Sequence, residues 1–171
     1  MYNQYRAFPP LQNWLRTNQI SIIHLVRRCV LDLVISRHLA SVTKHYHATA
    51  VPKVHQQVRI QLDPEATRRE MINVIGAHRE FAETFRLSQP YLAVSYEDLT
   101  GKEGKTAYRE ILEFLEVDPS LAVAPPSLRK VNNLPHDERI ANYEEVVTTL
   151  KEHGVPHQYQ ESPLHSPFPH P

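Results

Sequence analysis

Seven consecutive residues, Ile20-Ser21-Ile22-Ile23-His24-Leu25-Val26, constrain this chain more than any other stretch. The run is almost wholly apolar and rich in β-branched side chains. That pattern predicts a strand buried on both faces of a parallel sheet. Arg27 and Arg28 end it, and from about Cys29 to His45 the apolar spacing turns helical, with Val30, Leu31, Val34, Ile35 and Val42 on a broad face. A buried strand that passes through a short polar turn into a helix is the opening half of a βαβ unit. The expected class is therefore α/β, a short parallel sheet flanked by helices.

The remaining elements follow from period and punctuation. Residues 9–18 read as a short helix, opened by Pro9 and Pro10 and carrying Leu11, Trp14 and Leu15 at helical spacing. Val58 to Leu62 alternates strictly and predicts a half-exposed strand. Asp63-Pro64 supplies an N-cap and a first helical position. The helix that follows keeps Met71, Ile72, Val74, Ile75, His78, Phe81, Ala82 and Phe85 in period to about Leu87. Gln89-Pro90 breaks it, and Tyr91 to Ser95 reads as a second core strand. Residues 104–116 predict an amphipathic helix with Tyr108, Ile111, Leu112 and Leu115 inward. A last helix is expected over 136–153, with Ile140, Tyr143, Val146, Val147 and Leu150 periodic and Gly154 closing it. The domain is thus expected over 1–154. Residues 155–171 carry five prolines and little apolar content, and read as a disordered tail.

Composition narrows the function classes. Lys plus Arg is 19 and Asp plus Glu is 19, so the formal net charge is zero. A neutral chain does not bind polyanions through bulk charge, and no nucleic-acid partner is expected. The single cysteine, Cys29, excludes an intrachain disulfide and any cysteine-rich zinc module. No apolar stretch approaches the roughly 20 residues of a membrane-spanning helix, and the first ten residues lack the apolar core of a secretory signal. Together with the lone cysteine this favours a cytoplasmic location. Only four glycines are present, which leaves little room for a glycine-rich phosphate loop.

Three stretches can carry chemistry. Arg28 falls at the C-terminal end of the first strand, where open α/β sheets bind ligands. Ser36 lies eight residues on, a little over two helical turns. A guanidinium fork, a hydroxyl and a helix N-terminus together suit a phosphate dianion. The plainer reading makes Arg27 and Arg28 solvated loop charges and Ser36 a packed or surface serine. Tyr96 follows the second strand and is placed to stack on or hydrogen-bond a base. Glu97 and Asp98 read as cap and first-turn charges rather than an acid–base pair. Arg129 and Lys130, in a loop, form a weaker phosphate clamp or simple surface charge. His24 reads as a packed core histidine. His45, His47 and His55 are candidates for a general base, but no catalytic residue is assigned. No metal site is expected, since His45 and His47 have no evident third ligand.

Taken together, IIHLVRRCVLDLVISRHLAS at 22–41, VSYEDLTGKEGKTAYREILEFLEV at 94–117 and LRKVNNLPHDERIANYEEV at 128–146 resemble the sulfotransferases that use 3′-phosphoadenosine 5′-phosphosulfate (PAPS), in particular the bacterial and nodulation-type branch. The resemblance covers roughly 14–152. It implies a P-loop-NTPase-like sulfotransferase fold. It also implies that Arg28 and Ser36 hold the 3′-phosphate of the co-substrate PAPS, that Tyr96 contacts adenine, and that Arg129 and Lys130 add phosphate contacts. Val131 stands where the family has a glycine, and Arg27 takes the place of Arg28 if the register shifts by one. The family's first strand and its 5′-phosphosulfate loop have no counterpart in the 19 residues before the first strand here. The chain is therefore expected to correspond to the C-terminal two-thirds of such a domain. The implied function is transfer of a sulfuryl group to a hydroxyl or amine of a carbohydrate or small molecule, reduced or lost without that loop. The alternative is a non-catalytic, sulfotransferase-like binding or interaction protein.

Overall fold

The computed structural model describes residues 8–44, 58–102, 104–120 and 134–159. Among these residues the chain forms seven helices and two strands, an α/β arrangement. Strand β1 (Ile22–Val26) pairs in parallel with β2 (Tyr91–Ser95), in register from Ile22 opposite Tyr91 to Val26 opposite Ser95. No described helix is long and apolar enough to cross a membrane. The described residues fall into two compact units. One comprises those up to Val26 and from Gly76 to 120. The other comprises those from Arg27 to Ile75 and from 134 to Tyr159.

The first unit holds α1 (Pro9–Thr17), β1, the last turns of α3 (Pro64–Phe85), β2, α4 (Tyr96–Thr100) and α5 (Gly104–Phe114). Its core gathers Ile22, Ala82, Phe85 and Tyr91, with Leu15 and Phe81 against them. Gln89 Nε2 donates to the Leu15 carbonyl at 3.1 Å and fastens α1 to this core. Two expectations change here. β1 is buried on one face only: Ile22, His24 and Val26 are buried, while Ile23 and Leu25 are exposed. The strand has one hydrogen-bonded neighbour among the described residues, and its apolar run outlasts the cover it receives. On α5, Ala107 is the buried residue, whereas Tyr108, and Leu115 just past the helix end, both expected inward, are exposed. A small side chain at the contact lets the helix approach closely, so the larger ones flank it.

The second unit holds α2 (Val30–Thr43), the first turns of α3, α6 (His136–Arg139) and α7 (Tyr143–Glu152). Asp63 caps α3 as its sequence predicts, Oδ1 accepting the Ala66 amide at 2.6 Å. The strand expected over 58–62 is reduced to one parallel bridge between Ile60 and Ile140. That bridge also divides the helix expected over 136–153. Ile140 is extended (φ −105°, ψ 122°) to pair with Ile60, and the helix resumes only at Tyr143. Asn142 bonds both the amide and the carbonyl of Leu62, at 3.1 and 2.8 Å.

Residues Val155 to Tyr159, expected in the tail, belong to this unit. Val155 and Tyr159 are buried. The Val30 amide donates to the His157 carbonyl at 3.1 Å, and the Tyr159 amide to the Arg28 carbonyl at 2.7 Å. Gly154 makes the return possible, with φ +62° in the left-handed region that glycine adopts without a steric cost. The rest of the expected tail, 160–171, lies outside the described residues.

Candidate anion-binding site

The turn from β1 into α2 opens the site. The strand's alternation stops at Val26, and the next residue, Arg27, is half-buried while Arg28 is exposed. Asp32 and Ser36 lie one helical turn apart on α2, hence on one face. Arg27 spans them: one guanidinium nitrogen, Nη1, donates to Ser36 Oγ at 3.4 Å, and Nη2 lies 3.7 Å from Asp32 Oδ2. The guanidinium that reaches Ser36 is therefore Arg27's. The register shift weighed in the sequence produces this pairing, and the expected partner Arg28 contributes its carbonyl to Tyr159 instead.

Asp32 is the hub. Arg139 Nη2 donates to its Oδ1 at 2.5 Å, and His136 Nε2 lies 3.0 Å from the same oxygen. Both partners come from α6, three residues apart on one face. Asp32 and Arg139 are buried. A buried charge is tolerated only when paired, and Asp32 is paired three times. The hydrogen bond to Asp32, then that to Cys29, pushes His136 up to about 9. The imidazole is thus cationic at neutral pH. Arg27, Arg139 and His136 then surround one carboxylate, an excess of two positive charges, and Arg27 links them to the Ser36 hydroxyl. His157 moves the other way, held below the usual imidazole range first by burial and then by the His136 charge.

Cys29 is the N-cap residue of α2 and is half-buried. Its Sγ lies 3.9 Å from His136 Nε2. The same ring nitrogen faces both Cys29 and Asp32. A nucleophilic triad needs the imidazole to use its two nitrogens on two different partners, so the three residues are not arranged as one.

The other unit holds a second titratable cluster. His24 Nδ1 and the Tyr91 hydroxyl are 2.5 Å apart, and His24 Nε2 lies 3.0 Å from His78 Nδ1. Phe81 packs on the His24 ring at 4.8 Å between centroids. Burial, then the neighbouring His78 and Arg86, lowers His24 to about 3, and the ring stays neutral. His24 is buried and packed, as the sequence reading expects. Tyr96 opens α4 in this unit, half-buried, its carbonyl accepting Thr100 Oγ1 at 2.8 Å. The cap of α4 is Ser95, whose Oγ accepts the Asp98 amide at 2.9 Å and donates to Asp98 Oδ2 at 2.6 Å.

Arg129, Lys130, His45, His47 and His55 lie outside the described residues. Asp32, His136 and Arg139 are not among the residues that the sequence singles out. A carboxylate inside the apolar face of α2 and a His-x-x-Arg pair at helical spacing were the signals available. Against protein-family models, curated proteins and solved structures, the chain matches none.

Proposed function

We propose that the β1–α2 turn binds the 3′-phosphate of a PAPS-type nucleotide, and that the chain is a sulfotransferase-like protein of P-loop-NTPase-like fold. One observation carries the reading. The Arg27 guanidinium, just before a 14-residue helix, contacts the Ser36 hydroxyl two turns into that helix, within a cluster where cations outnumber carboxylates. A dianion placed there gains a fork and a hydroxyl donor. Arg27 gives the fork, Ser36 the hydroxyl, and Asp32 positions Arg27. The roles of Tyr96 toward adenine and of Arg129 and Lys130 toward phosphate rest on the sequence resemblance alone. So does transfer of a sulfuryl group from PAPS to a hydroxyl or amine, in which catalysis is mainly positioning and charge stabilisation.

Calorimetry with 3′,5′-adenosine bisphosphate tests the site. Arg27→Ala is expected to weaken binding about tenfold or more, because a charge-assisted hydrogen bond contributes roughly 1.5–3 kcal/mol. Ser36→Ala is expected to weaken it less, and Arg28→Ala less than Arg27→Ala. Undiminished binding by a folded Arg27→Ala protein rejects the assignment.

A further inference from the structure

We propose that Cys29, Asp32 and His136 form a zinc(II) site, an assignment argued from their geometry alone although it shares Asp32 with the nucleotide reading. Their donor atoms, Sγ, a carboxylate oxygen and a ring nitrogen, all lie within 4.8 Å of one another. Sγ to Nε2 is 3.9 Å and Nε2 to Oδ1 is 3.0 Å. Tetrahedral zinc with ordinary metal–ligand lengths places such donors roughly 3.4–3.6 Å apart. Those two edges therefore need adjustments of about half an ångström, within the reach of side-chain rotation.

Convergence is the stronger argument. One imidazole nitrogen, Nε2, faces the sulfur and the carboxylate together, and a metal between them displaces the protons of imidazole and thiol. Without metal, a single N–H is shared between two acceptors there. Thiolate and imidazole select zinc over magnesium or calcium, which prefer oxygen alone. Three protein ligands leave a fourth position for water or another ligand. His136 and Cys29 are both partly exposed, which gives the ion a path.

The opposing force is also visible. Arg139 and Arg27 approach Asp32 at 2.5 and 3.7 Å, and a divalent ion must share that carboxylate with them. Like charges a few ångströms apart repel, so each guanidinium weakens metal binding. Arg139→Gln removes one competitor and is expected to tighten it.

Cobalt(II) titration of the full chain is the test, with zinc as displacing ion. One equivalent is expected to produce a thiolate-to-cobalt charge-transfer band and tetrahedral d–d absorption, both removed by zinc. Cys29→Ser is expected to lose the charge-transfer band. His136→Gln is expected to weaken binding by about tenfold or more. In the unmutated chain, zinc is expected to protect the sole cysteine from alkylation and to shift the His136 ring resonances. The proposal is overturned by no band, by a band that His136→Gln leaves unchanged, or by alkylation at the same rate with and without zinc.

Discussion

At the scale of single residues, the account turns on Asp32. It neutralises Arg139, raises His136 and holds Arg27 toward Ser36. Asp32→Asn leaves buried cations uncompensated, and urea denaturation is expected to show a loss of about 3–5 kcal/mol, the usual cost of breaking a buried pair from one side. NMR titration of His136 in the same variant is expected to move its midpoint from about 9 back toward the ordinary imidazole range. The hub was hard to read from sequence for a physical reason. Asp32 sits one turn before Ser36, among the buried apolar residues Leu31, Val34 and Ile35, and its partners arrive from residues 136 and 139. Local periodicity marks it as an exception but does not name what meets it. Arg27 and Arg28 differ only in which one follows the last in-register strand residue. Where a strand ends decides that, and boundaries are the weakest part of any pattern reading.

At the scale of elements, capping and alternation set the outcomes. Asp63→Ala is expected to destabilise by about 1 kcal/mol, since the Ala66 amide loses its acceptor at the start of a 22-residue helix. On β1, two apolar residues of similar size are expected to part ways under thermal denaturation. Ile22→Ala costs roughly 2–5 kcal/mol by emptying the core with Phe85 and Tyr91. Leu25→Thr changes stability by less than about 0.5 kcal/mol, because the side chain is exposed. Equal losses would mean that β1 is buried on both faces, as its composition alone suggests. Helices α1, α2 and α3 were legible because their apolar period, and for α3 the Asp63 cap, is written in consecutive residues. The bridge from Ile60 to Ile140 was not, because an 80-residue separation leaves no local trace. The same bridge explains why one predicted helix became two.

At the scale of the molecule, two histidines, one buried and one partly exposed, give the two units opposite pH responses. His24, lowered to about 3, is neutral when folded and charges when unfolded. The unfolded chain therefore binds the extra proton below about pH 6.5, and stability falls as pH drops from there toward 3. The slope from this group is at most about 1.4 kcal/mol per pH unit. His136, raised to about 9, contributes fully below its unfolded value of about 6.5 and loses that contribution as pH rises through 9. Hydrogen exchange resolved by residue is expected to show amides of the β1–β2 unit losing protection on acidification. Those of the α2–α7 unit are expected to lose it on the alkaline side. Phe81→Leu next to His24 leaves the sign of the first response unchanged, whereas His24→Phe abolishes it.

The central claim is that Arg27 and Ser36 recognise a ribose-linked phosphate dianion. Competitive calorimetry of 3′,5′-adenosine bisphosphate against adenosine 5′-monophosphate, which lacks only that phosphate, tests it most directly. The account predicts a preference of about tenfold or more for the bisphosphate in the unmutated chain, and its disappearance in Arg27→Ala. Equal affinity for the two nucleotides, or a preference that survives in folded Arg27→Ala, would contradict it.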